Sequence, residues 1–520
     1  MIAAFSFLLP PLLMSVFPVL FFYQTNISEL NPKFLELPLL YLTTTALIGV
    51  LTLKVIIQDK NKSALITAFI LFIFLSYGHF SKFLEKKLFI QLPDGFVLGP
   101  DKIFIPLVFL GSLFLIYKIL KSKTDFTRAI SYINIVLLIL TGYSSIFIVK
   151  SELQKPRFKS ASFLSDQSQT LNSGTDTPDI YYIILDGFAR QDILSNVYGY
   201  DESKFINELR EMGFYVADRA RSNYIQTYLS LPSTLNMTYL DTLAEKYGKK
   251  PVDDSAAINL VFDNLVTSKL KKSGYEIVNF VTWWSGTNEN FPADVKFSYQ
   301  KNFQIAGLNI NTGETNMVFL QTTLLNPLIK EVWNDDRRGK ILTVFEKLPD
   351  VSYRNNKKFV LAHITSPHPP YIFTKEGNPA VGADSQSGDE GVEKRGNYID
   401  QLIFISDRII PILQKLISNS QTPPVIILQS DHGPASIFGR RDDWVKNYSP
   451  EGVSERNGIL YAVYFPDHDY QTLYDTITPV NTFRLVFNKY FGENMELLPD
   501  RTYYTNYDAM YDFSDVTDLH

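Results

Sequence analysis

The 520-residue sequence contains no cysteine. That excludes disulfides, thiolate metal sites and a thiol nucleophile, so a metal here would need oxygen and nitrogen ligands. Histidine is scarce, with six in the chain, so histidines that fall near one another carry weight. There is no basic excess: 49 Lys and Arg stand against 54 Asp and Glu, a formal net charge of −5. No basic stripe with interleaved aromatics is present, which argues against a nucleic-acid partner. No internal repeat is evident, and charge is sparse over roughly the first 150 residues.

That charge-poor region holds long apolar runs. The segments 2–23, 36–57, 63–80, 102–120 and 128–149 are long enough, or nearly so, to span a bilayer as helices. The first carries Pro10, Pro11 and Pro18 and lacks a basic start, unlike a cleaved signal peptide. One such run reads equally well as a buried core helix; five in succession read as an integral, multi-pass membrane domain. Lys54, Lys60 and Lys62 edge the second loop, and Lys118, Lys121, Lys123 and Arg128 the fourth. Placing both inside leaves everything after residue 150 outside, periplasmic or extracellular, on an inner (plasma) membrane. The third loop pulls the other way with Lys82, Lys86 and Lys87, partly balanced by Glu85, Asp94 and Asp101. Its Leu92–Phe96 stretch is suited to the interface.

Residues 151–177 are polar and read as a linker. From 178 to 520 strand-like and helix-like patterns alternate, as in an α/β domain with a mostly parallel central sheet. Strands are expected at 179–185, 276–281, 358–363, 424–429 and 459–465. Helices are expected at 201–212, 256–272, 317–332, 397–418 and 480–490, with an exposed insertion at 376–394.

Chemistry gathers where the apolar runs stop. Val425–Gln429 is followed by Ser430-Asp431-His432-Gly433, and Ile180–Leu185 by Asp186-Gly187. Ligands collect at the carboxyl ends of parallel strands, and Asp and His suit a divalent metal. Gly433 allows the backbone to turn away without a Cβ clash. Two such strand ends point to one shared site. A third run ends in Ala362-His363-Ile364-Thr365-Ser366-Pro367-His368-Pro369-Pro370-Tyr371, which adds two histidines for metal ligation or acid–base work. Tyr228-Leu229-Ser230-Leu231-Pro232-Ser233 offers a hydroxyl for nucleophilic attack, and reads equally well as an ordinary helix start capped by serine. Arg440, Arg441 and Arg456 have the guanidinium geometry for phosphate or sulfate oxygens, or are solvated loop residues.

Taken in combination, these motifs resemble the sulfatase-like branch of the alkaline phosphatase superfamily. The layout resembles its membrane-anchored transferases, such as lipoteichoic acid synthases and phosphoethanolamine transferases. The resemblance implies metal ligands at Asp186, Asp431 and His432, and a nucleophile that also ligates the metal at Ser230. It implies a substrate-contacting histidine at His368; His363, Arg440 and Arg456 are, from their own chemistry, further candidates for substrate binding. The implied cofactor is a divalent ion, zinc or manganese, with calcium or magnesium as alternatives. The implied reaction moves a phospho-substituent from a membrane lipid donor to a cell-envelope glycan or lipid. Two departures bear on this. Thr234 stands where formylglycine-forming sulfatases need arginine, which argues against conversion of Ser230 and against sulfatase activity. The transferases more often use threonine as nucleophile and glutamate as first ligand, and Thr227 lies three residues before Ser230. The alternatives are a hydrolase of phosphate or sulfate esters and a non-catalytic envelope protein. A transporter fits poorly, because the spans hold no cluster of acids and bases.

Overall fold

The structure is a computed structural model. It describes residues 6–27, 30, 32–85, 90–91, 97–98, 100–154, 171, 177–250, 255–299, 301, 303–305, 308–310, 314–380, 391–439, 448–506 and 508–519. The Leu92–Phe96 stretch, most of the linker and the centre of the 376–394 insertion lie outside them. The chain forms two compact units. One holds Met1–Pro156 with Asn311–Val332, the other Arg157–Ile310 with Trp333–His520.

The first unit is helical. Its helices are α1 (Leu9–Thr25), α2 (Glu36–Ile57), α3 (Lys60–Glu85), α4 (Pro100–Lys121) and α5 (Thr127–Gln154). All five are long and apolar enough to cross a membrane, and each overlaps its expected span. Pro10 and Pro11 sit in the first turn of α1, where a missing N–H costs nothing. Val55, Leu110 and Ile146 point outward, 77%, 62% and 72% exposed, so these faces need apolar surroundings. Polar ties are few and directed. Tyr23 donates to Glu152 Oε1 at 2.6 Å, joining α1 to α5. Lys62 Nζ donates to the Leu120 and Ser122 carbonyls at 3.0 and 2.8 Å, satisfying the end of α4.

The helix expected at 317–332 is interrupted, and it packs with the apolar helices of the first unit. It forms as Glu314–Gln321, followed by a second helix from Asn326. Between them the chain is pinned to α3: the Gly78 amide donates to the Thr322 carbonyl at 3.0 Å, and the Leu324 amide to the Phe74 carbonyl at 2.7 Å. Only glycine permits this approach, because a Cβ at residue 78 would stand 1.9 Å from the Gln321 carbonyl oxygen. Phe319 completes the contact, edge-on to Phe22 and Phe34 with ring centres 5.2 and 5.8 Å away. The segment falls within 178–520 in chain order and groups with the helical unit, where α3 leaves a gap for its backbone.

The second unit is built on seven strands: β1 (Ile180–Leu185), β2 (Tyr215–Val216), β3 (Glu276–Phe280), β4 (Val295–Phe297), β5 (Lys358–Ile364), β6 (Val425–Gln429) and β7 (Tyr461–Tyr464). Their order is β2-β7-β6-β1-β5-β3-β4. The pairings from β6 through to β4 are parallel, while β7 runs antiparallel to β6 and to β2. The sheet is buried on both faces. Tyr181, Ile183 and Leu185 enter one core with Ile405 and Leu413 of α7 (Arg395–Asn419). Ile180, Tyr182 and Ile184 enter another with Leu231 and Leu235 of α6 (Thr227–Asn236). Double-sided burial is why β1 reads as an unbroken apolar run. The helix expected at 256–272 divides at Asn264, which accepts from the Thr267 amide and starts a new helix.

Candidate metal and ester site

β5, β1 and β6 lie side by side and parallel, so their carboxyl ends open at one edge. Ile184 of β1 pairs with His363 of β5 on one side and Gln429 of β6 on the other. The residues that follow are therefore delivered to one place: Asp186 after β1, His368 beyond β5, Asp431 and His432 after β6. The loops are then fastened together. The Phe188 amide donates to Ser430 Oγ at 2.9 Å, and Ser430 Oγ donates to the His432 carbonyl at 2.6 Å. The His368 amide donates to the Asp186 carbonyl at 2.8 Å. Gln401 of α7 holds the His368 loop from behind, donating to the Pro367 and His368 carbonyls and accepting from the Ile372 amide.

Ligating atoms of Asp186, His368 and His432 lie within 4.8 Å of one another. Asp431 Oδ2 stands 3.5 Å from His432 Nε2, and Asp186 Oδ1 stands 3.5 Å from the same nitrogen. His432 donates through Nδ1 to the Gly433 carbonyl at 2.9 Å, and His368 through Nδ1 to the Pro369 carbonyl at 2.6 Å. The neutral His432 ring thus presents its Nε2 lone pair. Asp186 Oδ1 and Asp431 Oδ2 are buried without a hydrogen-bond partner. Two carboxylate oxygens with nothing to bind, beside the imidazole nitrogen of His432, are a donor set that suits a divalent metal ion. These residues fit the metal that the strand-end motifs imply.

The electrostatics agree. Burial alone would raise the Asp186 carboxyl, but the positive field of His368 and a hydrogen bond from His363 hold it well below the usual range. Burial and the negative charge of Asp186 push Asp431 up to about 7. Burial and the Arg456 guanidinium hold His432 well below its usual range, so its ring is neutral.

His363 lies behind this set. Its Nε2 is 3.2 Å from Asp186 Oδ2, and its Nδ1 is 3.1 Å from the Thr287 hydroxyl. Thr287 had no sequence signal, because it reaches the site only through packing beside β3. The two hydroxyl candidates differ in their surroundings. Thr227, at the first position of α6, places Oγ1 3.1 Å from His432 Nε2. Ser230, one turn later, donates to the Asp431 carbonyl at 2.7 Å and is buried.

Arg456 is buried, at the end of α8 (Pro450–Asn457). It donates to the Ile225 carbonyl at 2.8 Å and the Gly433 carbonyl at 2.6 Å, with Nη2 3.3 Å from His432 Nε2. Arg440 and Arg441 lie outside the described residues. Gly433 is needed for a reason other than a left-handed turn: a Cβ there would sit 2.2 Å from the Glu455 carbonyl oxygen. Glu455 itself accepts from the Ser436 and Ile437 amides and the Tyr198 hydroxyl, anchoring the loop after His432.

A search of curated proteins finds no match. Solved structures with a similar chain path are distant. The C-terminal periplasmic domain of EcEptC from Escherichia coli, in complex with Zn, is 12% identical with a TM-score of 0.40, over 62% of this chain and 86% of that one. The integral membrane lipooligosaccharide phosphoethanolamine transferase A (EptA) from Neisseria meningitidis is 13% identical with a TM-score of 0.39, over 93% and 94%. An alkaline phosphatase superfamily protein from Vibrio parahaemolyticus is 12% identical with a TM-score of 0.39, over 65% and 75%. The sulfatase family model matches residues 178–483, more than half of the sequence and every residue of the site just described. The chain belongs to the sulfatase family.

Proposed function

We propose that this is a membrane-bound, metal-dependent enzyme that transfers a phospho-substituent from a lipid donor to a cell-envelope glycan or lipid, with Thr227 as nucleophile. The observation that carries it is the pair of hydroxyl environments: Thr227 Oγ1 faces His432 Nε2 at 3.1 Å, whereas Ser230 is committed to the Asp431 carbonyl. In this reading Asp186, Asp431 and His432 hold the ion. Bound there, the ion lowers the proton affinity of the nearby hydroxyl and offsets charge on the ester oxygens. The Thr227 hydroxyl releases its proton to water, its oxygen attacks phosphorus, and the bond to the lipid alcohol breaks. His368 protonates the leaving oxygen from Nε2, its Nδ1 being engaged by Pro369. An acceptor hydroxyl then attacks the phosphothreonine, giving its proton back to His368, while the bond from Thr227 to phosphorus breaks and the threonine oxygen regains a proton from water.

The apolar outer faces of the five helices support a multi-pass inner-membrane protein, and the lysine-edged second and fourth loops support a catalytic unit outside. A membrane anchor on the same chain favours a lipid donor and so transfer. Family membership supports a second reading, hydrolysis of phosphate or sulfate esters.

Incubation of the zinc-loaded full-length protein with labelled phospholipids, followed by peptide mass spectrometry, should find the label on Thr227. Label on Ser230 would correct the nucleophile and keep the reaction. Absence of any adduct with release of free phosphate or sulfate would favour the hydrolase. A reporter active only outside the cytoplasm, fused at Lys150, should be active; a silent reporter would overturn the orientation.

A further inference from the structure

Gln226 occupies the N-cap of α6, immediately before Thr227, with extended backbone (φ −141°, ψ 138°). A side chain at that position ordinarily accepts from an amide of the first helical turn. Gln226 makes no such bond. The residue is 1% exposed, and neither its Nε2 nor its Oε1 has a hydrogen-bond partner among the described residues. A buried carboxamide with both ends unmet is costly, because it gives up water and gains nothing in return. Such groups are rare enough in folded proteins that each needs a reason.

The position supplies one. Ile225, on one side, is tied through its carbonyl to Arg456, which also grips Gly433 and abuts His432. Thr227, on the other side, faces His432 Nε2. Gln226 is thus held between two residues fixed to the metal loop. Two other side chains of that site are also buried with an unmet oxygen, Asp186 and Asp431. Their deficit is one a cation fills. A neutral carboxamide is a different case: it needs an acceptor for Nε2 and a donor for Oε1. A tetrahedral oxyanion ester whose alcohol carries a hydroxyl or ammonium group offers both.

We propose that Gln226 is a substrate-binding residue: Nε2 donates to a non-bridging oxygen of the ester that Thr227 attacks, and Oε1 accepts from a hydroxyl or ammonium of the same substrate. The proposal rests on the reading of Thr227 as nucleophile. It makes the start of α6 a two-residue device, one side chain attacking and its neighbour gripping. It also implies a stability cost carried for function, since an apolar side chain of the same length would suit the ligand-free site better.

The test uses the full-length protein in detergent, loaded with zinc, as wild type, Gln226→Met and Thr227→Val. Zinc content is checked by elemental analysis, melting by scanning fluorimetry and binding of inorganic phosphate by calorimetry. Gln226→Met should retain its zinc, melt at the same temperature or higher, and bind phosphate roughly tenfold more weakly. Thr227→Val should bind phosphate within a few-fold of wild type, so failure of the nucleophile assignment is read separately, in the adduct experiment. Unchanged phosphate affinity in Gln226→Met overturns the proposal. A lower melting temperature alongside it would show that the carboxamide is a structural group satisfied by buried water.

Discussion

The two carboxylates of the site make a prediction with an unusual sign. Asp431 is fully buried beside Asp186, and its carboxyl is raised from an ordinary 3.8 to about 7. In the unfolded chain Asp431 ionises near pH 4; in the metal-free native state it keeps its proton until about pH 7. Between those values the native state binds more protons than the unfolded state, so this group's contribution to stability is lost as pH rises through the window. The gap corresponds to roughly 4 kcal/mol at about 1.4 kcal/mol per pH unit. Asp431→Asn removes the ionisation while keeping the shape. After treatment with EDTA, the variant should be more stable than wild type at pH 8 by up to that amount, raising Tm by several degrees. At pH 5, only about one unit into the window, the advantage should shrink to well under half of that, and it should vanish once the pH falls below both values. Added zinc should raise the Tm of wild type at pH 8 and leave the variant unmoved, because binding the native state alone stabilises it. The assay is scanning fluorimetry on the full-length protein at both pH values, with and without zinc. An Asp431→Asn protein no more stable than wild type at pH 8 without metal would refute the picture of two unscreened facing carboxylates.

Other expectations follow from individual contacts. Thr227→Val should abolish turnover at unchanged zinc content, whereas Ser230→Ala should cost about 1 kcal/mol of stability for its lost bond to the Asp431 carbonyl and keep measurable activity. His363→Ala releases Asp186 Oδ2 from its imidazole partner and should weaken zinc binding about 10- to 100-fold, measured by competition with a chelating dye. Gly78→Leu forces a side chain into the Gln321–Thr322 backbone and should expose the Glu314–Leu325 region to protease, while Gly111→Leu, with open space at its Cβ, should not.

Much of the architecture was legible because its physical causes are local. Five apolar runs of spanning length can hardly be buried in a water-soluble core, and the structure has five such helices. The five main strands were legible because β1, β5 and β6 are covered on both faces, so nearly every position is apolar, with Lys358, His363 and Gln429 at or near strand ends. β2 and β4, two and three residues long, are too short to show a pattern. The site was half legible. Asp186, Asp431 and His432 stood out because a carboxylate or imidazole directly after an apolar strand interrupts its pattern.

What the sequence by itself determined is what depends on a residue and its chain neighbours: spans, strands, and the acids and histidines at strand ends. What only the tertiary structure decided is what depends on partners far away in the chain. Ser230 and Thr227 are both plausible hydroxyls in the sequence; one is turned to the Asp431 carbonyl and the other to His432 by packing across some 200 positions. Arg456 could have been solvated, but lies buried against Ile225 and Gly433. The segment at 317–332 reads as one more helix of the α/β half, and joins the five apolar helices because Gly78 leaves room for its backbone. Side-chain type is written in the sequence, but the direction of a hydroxyl or a guanidinium is set by which carbonyls the fold brings within about 3 Å of it.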